Sequence, residues 1–260
     1  MKDNCKNLLE KFKKISKSGW IKGINNYTNS AGLTFESLLN KKTDSMFFPD
    51  YQGIEIKTTQ RFSRYPITLF SKSFDGPSLY QMNEILKKYG KSDIIYKDKK
   101  ILNCNLSCNR KTLINGKYYF RINISEKDKK IYLEVYDVFD KLIEKDAFVN
   151  FETLKTHLEL KLSTLALIYA SKKNIENISY FRYYKIIIYK LLSFNKFIEL
   201  LKNDIIIVEI VGRISRSGVE IGRQRNKNLV FKISKENINK LFKTIKIYDA
   251  DLENSYFQII

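Results

Sequence analysis

The chain has 260 residues, enough for one large domain or two small ones. Its 47 Lys and Arg against 28 Asp and Glu give a formal charge of +19, a field that attracts a polyanion and speeds encounter with it. No apolar run approaches the ~20 residues of a spanning helix, and no apolar stretch follows residues 1–6 to suggest export, so a cytoplasmic protein is expected. Codon bias toward AT would also enrich Lys, Asn and Ile. The charge exists either way and makes nucleic acid the first partner to consider; an anionic membrane ranks second, with no basic amphipathic helix to support it. The three cysteines, Cys5, Cys104 and Cys108, lack the second ligand pair of a zinc site and read as reduced thiols.

In chain order, residues 4–16 place Leu8, Leu9, Phe12 and Ile15 at helical spacing, a face that packs on a core. Residues 30–39 read as a second helix with Leu33, Leu38 and Leu39 as its apolar positions and Glu36 on another part of its surface. Strands are expected at 46–48, 53–59 and 67–72. The loop 59–66 carries Arg61, Arg64, Phe62 and Tyr65, a set suited to phosphate contact and groove packing, and equally to a solvated turn. A helix over 78–89 ends at Gly90, and strands near 101–106, 118–125 and 131–136 suit antiparallel pairs around a Gly116 turn. Residues 148–162 read as helix and hold His157, the one histidine, in a surface or packing role. Residues 165–171 and 180–188 are β-rich, 194–202 helical, and 205–214 a strand buried for much of its length. No internal repeat or low-complexity linker divides the chain.

Chemistry concentrates in Pro49-Asp50-Tyr51-Gln52-Gly53-Ile54-Glu55-Ile56-Lys57. Residues two apart on a strand share a face, so Glu55 and Lys57 point one way while Ile54 and Ile56 point into a core. Asp50 sits one tight turn upstream, eased by Gly53. Phosphodiester hydrolysis needs a hard cation to neutralise the phosphate and lower the pKa of the attacking water. Mg2+ takes oxygen ligands for this, typically one or two carboxylates with waters and phosphate oxygens. Asp50 and Glu55 supply carboxylates, and Lys57 a compact cation beside the water and the developing phosphoryl charge. An exposed strand with an ordinary Glu–Lys pair would show the same letters. Glu36, on the preceding helix, fits an outer or additional acid and fits a solvated helix glutamate equally well.

A second basic segment runs from Gly212-Arg213-Ile214-Ser215-Arg216 to Gly222-Arg223-Gln224-Arg225-Asn226-Lys227-Asn228 and reads as a loop between two strands. Arg and Lys donate to guanine O6 and N7, and Gln and Asn pair with adenine N6 and N7. Base reading is favoured over phosphate contact alone because edge-reading side chains are this dense here.

The ordered set Gly32-x-Thr34-Phe35-Glu36-x-Leu38-Leu39, Pro49-Asp50 and Ile54-Glu55-Ile56-Lys57-Thr58 resembles the MvaI/BcnI family of type II restriction endonucleases. Further segments extend the likeness in the same order: Leu69-Phe70-Ser71-Lys72-Ser73, Tyr89-Gly90-Lys91, Asn109-Arg110-Lys111-Thr112, Leu133-Glu134-Val135-Tyr136-Asp137 and Lys173-Asn174-Ile175-Glu176-Asn177. Together they span about Gly19 to about Phe242. The resemblance implies an α/β (α+β) PD-(D/E)xK fold, a mixed sheet flanked by helices. It also implies a catalytic lobe centred on about 19–140 and a DNA-recognition lobe at about 150–245, with a cleft for the duplex.

It further implies a Mg2+-dependent, sequence-specific endonuclease acting as a monomer. That enzyme nicks the strands in turn, leaves 5′-phosphate and 3′-hydroxyl ends, and is paired with a protective methyltransferase. Asp50, Glu55 and the Ile56 carbonyl would hold metal, Lys57 would position water, and Glu36 would assist. Arg61, Arg64, Arg110, Lys111, Arg213, Arg216, Arg223, Gln224, Arg225 and Lys227 are the candidate DNA contacts. Where one member of that family carries His-x-His in the matching loop, this chain has Arg225 and Lys227, so that member's target sequence is not expected to transfer. A MutH-like nicking repair enzyme and a DNA-binding protein without catalysis are the alternatives.

Overall fold

The computed structural model describes residues 2–40, 48–78, 81–216 and 218–252. In chain order the first half forms α1 (Lys2–Lys17), β1 (Ile21–Lys22), α2 (Ser30–Leu38), β2 (Glu55–Gln60), β3 (Ile67–Lys72), α3 (Gln81–Tyr89), β4 (Lys91–Ser92), β5 (Lys100–Leu106), β6 (Thr112–Ile114) and β7 (Tyr118–Ser125). The remainder forms β8 (Lys130–Tyr136), β9 (Leu142–Glu144), β10 (Phe148–Asn150), α4 (Phe151–Leu162), β11 (Thr164–Ile175), β12 (Ile178–Leu191), α5 (Phe194–Lys202), β13 (Ile206–Ile214), β14 (Gln224–Ile233), α6 (Ile238–Leu241) and β15 (Phe242–Asp249). The fold is mixed α+β, as expected.

The chain divides into two compact units. The first comprises residues 1–67, 157–193 and 238–260. Its sheet runs β1-β12-β11-β2, with β15 also paired to β12. β11 and β12 form a long antiparallel hairpin, while β2 joins β11 in parallel with Glu55 beside Leu165 and Lys57 beside Leu167. One sheet face is apolar. Ile54, Ile56, Ala166, Ile168, Phe181, Tyr183 and Ile188 pack there against Leu8, Phe12 and Ile15 of α1 and Ala31 and Phe35 of α2. Burial at about 25 cal/mol per Å2 of apolar surface drives this packing. It fixes the register of β2, since a one-residue slip would turn Ile56 outward and Glu55 into the helices.

The second unit comprises residues 68–156 and 194–237. It carries the sheet β3-β14-β13-β5-β4 and a meander-like sheet β10-β8-β7-β6, with β9 paired to β8. Phe70 stacks on Phe197 and on Phe231 in its core, and those two rings meet at a tilt.

Several expectations change. Residues 148–150 are strand rather than helix: Phe148, Val149 and Asn150 pair with Tyr132, Ile131 and Lys130, and α4 begins at Phe151. β11 and β12 run several residues beyond the β-rich cores read from sequence, because their mutual ladder continues to a tight turn at Glu176 and Asn177, both at positive φ. Gln224, Arg225 and Lys227 stand on β14 rather than in a loop, since the β13–β14 ladder extends to Ile214 opposite Gln224. The strand expected at 46–48 falls largely outside the described residues, as does the start of the helix expected at 78–89.

Candidate active site

The local sequence builds one acidic corner in the first unit. Tyr51 and Ile54 exchange backbone hydrogen bonds of 2.9 and 2.8 Å around Gln52 and Gly53, whose φ angles are +46° and +82°. Positive φ at both central residues is the hairpin turn that returns a chain on itself within two residues, and glycine adopts it without strain. The turn brings Asp50 back alongside β2, where its Oδ2 accepts the Ile56 N–H at 3.0 Å. Among the described residues β2 is an edge strand of its sheet. A strand residue's N–H and C=O leave on the same side, so the Ile56 carbonyl opens onto the edge that Asp50 occupies.

Glu55 lies on the face opposite the apolar core, with 1 % of its side chain exposed. Lys57 Nζ donates to Glu55 Oε1 at 2.5 Å and is itself 26 % exposed, so the corner opens to solvent on the Lys57 side. The second oxygen, Oε2, accepts no hydrogen bond although it is buried. Lys161 Nζ stands 3.4 Å from it, an ion pair without hydrogen-bond alignment. Burial raises the Glu55 pKa, Asp50 pushes the same way, and Lys57 and Lys161 oppose the rise.

Lys161 went unnoticed in the sequence. It closes α4 three residues before β11 starts, and β11 enters the sheet with Leu165 beside Glu55. No spacing rule links it to the 50–57 segment. Glu36 sits on α2, which packs against β2. A methyl group at Gly32 would lie 3.9 Å from Glu36 Oε1 and 4.0 Å from Thr58 Oγ1, so Glu36 neighbours the strand one residue beyond Lys57. Thr58 Oγ1 is buried without a hydrogen-bond partner.

A divalent cation fits this corner. Two carboxylates, one of them with an oxygen that accepts no hydrogen bond, and a backbone carbonyl form an all-oxygen donor set. Among the described residues no cluster of three or more His, Cys, Asp or Glu is placed to hold a metal. Such a sparse set suits an ion that keeps several of its own waters, as Mg2+ does, rather than a metal held by an all-protein cage.

The expected DNA contacts fall into different settings. Arg64 is exposed in loop 61–66 with Phe62 and Tyr65, 88 % and 84 % exposed. Arg61 reaches Asp251 Oδ2 at 3.4 Å and lies over the rings of Phe62 and Tyr184. In the second unit Arg110 rims a cavity of about 420 Å3 that Asp204 also lines. Lys111 pairs with Asp140 and lies over the Tyr136 ring.

Arg213 and Arg225 face each other across the β13–β14 ladder, and a bulge at Val211/Gly212 leaves Lys227 beside them. Packing around its stem and repulsion from Arg213, Arg225 and Lys232 lower the Lys227 pKa, although the residue keeps an exposed surface. Gln224 bonds the Arg213 carbonyl and Asn226, which continues to Asn83. Arg223 pairs with Glu220 at 2.7 Å. Arg216 grips the buried Asp93 carboxylate with both guanidinium nitrogens. That grip, with the Tyr96 and Ile95 N–H groups, holds Asp93 down to about 2. Lys99 donates to the Gly222 carbonyl at 2.6 Å. The 93–99 loop therefore braces the turn between β13 and β14.

The family model of the MvaI/BcnI restriction endonuclease family matches residues 9–242. The chain belongs to that family. It is thereby placed among the type II site-specific deoxyribonucleases. Two solved structures of MvaI match it at 29 % identity. The restriction endonuclease MvaI–cognate DNA substrate complex has a TM-score of 0.85, covering 92 % of this chain and 96 % of that one. MvaI in the absence of DNA has a TM-score of 0.58, covering 95 % and 98 %. No curated protein sequence matches significantly.

Proposed function

We propose that the corner formed by Asp50, Glu55, Lys57 and Lys161 hydrolyses DNA phosphodiester bonds at a short recognition site. The reading rests on one observation: a nearly inaccessible carboxylate, Glu55, has one oxygen bonded to Lys57 and the other facing the Lys161 ammonium at 3.4 Å without a hydrogen bond. A charge buried that way is costly unless a cation completes it.

Asp50, Glu55 and the Ile56 carbonyl are the groups that would hold Mg2+, which when bound lowers the pKa of water and offsets phosphate charge. Lys57, fixed by its bond to Glu55, orients a water for in-line attack and stabilises charge on the phosphoryl oxygens. Lys161 adds a second ammonium on the far side of Glu55. Glu36 serves as an outer acid that shapes the water network. In-line attack leaves 5′-phosphate and 3′-hydroxyl ends. With one such corner among the described residues, a monomer cuts the two strands in succession. Arg213, Gln224, Arg225 and Lys227 form the base-reading edge of β13–β14. Arg64, Arg110, Lys111 and Arg223 supply backbone contacts, and Arg216 keeps the β13–β14 turn in shape. A methyltransferase protecting the same site is the expected functional partner in a cytoplasmic restriction system. A guanine-containing target fits the arginine-rich edge.

Plasmid incubated with purified protein and Mg2+ should yield discrete fragments, and EDTA should abolish them. Lys57→Ala should lower cleavage by at least about a hundredfold while binding to a labelled duplex in EDTA stays within a few-fold. Undiminished cleavage by that variant removes Lys57 from the mechanism.

A further inference from the structure

Three strands of the first unit line up a second cationic feature. The Arg61 N–H bonds the Ala170 carbonyl at 3.1 Å, which carries the β2–β11 alignment one residue past Gln60 opposite Ala170 and sets Arg61 beside Ser171. Ser171 in turn pairs with Arg182 of β12. Strands lie ~4.8 Å apart, so Arg61, Ser171 and Arg182 form a row roughly 10 Å wide. The bulge between Tyr169 and Ala170 keeps Ser171 and Arg182 on the face that carries Glu55 and Lys57, because Ala170 and Tyr183 both belong to the apolar core. Lys57 is four residues earlier in the chain, on β2, about 13 Å away at 3.3 Å per residue.

This row is spanned by a carboxylate. Arg182 Nη2 lies 2.9 Å from Asp251 Oδ1 and 3.2 Å from Oδ2, and Arg61 Nη1 lies 3.4 Å from Oδ2. Both guanidinium groups rest on the ring of the buried Tyr184, at 5.3 and 5.7 Å from its centroid. That platform holds them in place without satisfying their donors. Lys185 pairs with Asp249 at 3.1 Å, so Asp249 is engaged elsewhere and Asp251 is the acid on the arginine pair. Two planar forks converging on one small anion, next to a serine hydroxyl, make the donor arrangement that recognises phosphate. Asp251 lies in helical residues 250–252 that follow the last strand, and the side chains of Arg61, Arg182 and Asp251 are each about a third to a half exposed, so exchange for a solvent-borne anion is sterically open.

We propose that Arg61 and Arg182 form a clamp for a DNA backbone phosphate on the catalytic face, and that Asp251 occupies the clamp as an intramolecular competitor when DNA is absent. The clamp rests on the reading of that face as DNA-binding. It adds Arg182, which no motif marks, to the binding residues. It also makes the segment after β15 a brake on non-specific binding: DNA must displace the carboxylate, so weakly held duplex is penalised.

The test is fluorescence anisotropy of a labelled duplex in EDTA across a KCl series, with folding checked by thermal melting. Asp251→Asn should tighten binding at least threefold. Arg182→Gln should weaken it and reduce the salt slope by about one, the loss of one phosphate contact. In an R61Q/R182Q background the Asp251→Asn gain should vanish. Should the asparagine variant not fold, Asp251→Ser removes the same carboxylate. Binding by the Asp251 variant at or below the wild-type level, or an equal gain in the R61Q/R182Q background, overturns the clamp. Plasmid cleavage by the wild-type protein with Mg2+ reads the hydrolytic function separately. Cleavage without an Asp251 effect removes the clamp alone, and an Asp251 effect without cleavage removes the hydrolytic reading alone.

Discussion

Glu55 concentrates the energetic tension of the molecule at one residue. Its carboxylate is buried, and its Oε2 has an ammonium 3.4 Å away but no hydrogen bond. An ionised group so placed lowers stability, and active sites commonly hold such groups at the expense of the fold. Glu55→Gln should therefore melt at a higher temperature than the wild type in EDTA, by a few degrees for a change near 1 kcal/mol. Added Mg2+ should raise the melting temperature of the wild type and leave the variant unmoved, since a ligand stabilises only the form that binds it. Equal melting curves for the two proteins under both conditions would show that Glu55 carries no such burden. Asp50, Glu55 and Lys57 were legible in the sequence because a two-residue turn and a strand alternation bring them together locally. Lys161 and Arg182 were not, since Lys161 arrives from the end of α4 and Arg182 from β12, both distant in sequence and brought near only by the sheet order. Arg216 was legible as a basic residue, but its engagement with Asp93 was not, because nothing local ties residues 93 and 216.

Among the elements, β8 shows how charge is held inside the second unit. Glu134 is 3 % exposed and accepts from Tyr136 at 2.7 Å and from Arg121 at 2.8 and 3.1 Å, with Asn123 at 2.5 Å and Lys145 within 3.3 Å. Burial alone would raise its pKa. The bonds from Tyr136, Asn123 and Arg121 and the Arg121 charge outweigh that and bring it from 4.5 to about 2. A depressed carboxylate stabilises the fold above its unfolded pKa and loses that contribution as pH falls through the folded one. The contribution, about 3 kcal/mol at 1.36 kcal/mol per unit, should be complete above pH 4.5 and drain away toward pH 2. Urea unfolding of Glu134→Gln should show a deficit of this order at pH 7 that shrinks by pH 3; a deficit independent of pH would place its origin in packing instead. Long periodic elements such as α1, β7 and α5 were readable from sequence. The short edge strands β1, β4, β9 and β10 were not, because two or three residues carry no period of their own and take strand form only from a neighbour's open edge.

For the whole molecule, the excess of 47 basic over 28 acidic residues sets long-range behaviour. Part of that excess is spent internally, in Arg216–Asp93, Arg182–Asp251 and Lys161–Glu55, so the count overstates what DNA can use. Binding of a non-cognate duplex should still weaken about a thousandfold between 50 and 200 mM salt if six or so phosphates are contacted. A flat salt response would disconnect the charge from nucleic acid. Family membership fixes the reaction class, and Arg225 and Lys227 stand on β14, where the base-reading edge is proposed. The most direct measurement on the catalytic corner is anomalous diffraction from crystals of a DNA complex soaked in Mn2+. A peak bounded by the Asp50 and Glu55 carboxylates and the Ile56 carbonyl, within reach of a phosphate oxygen, is the predicted result. A fully occupied Mn2+ site elsewhere on the DNA, with none at that corner, would contradict it.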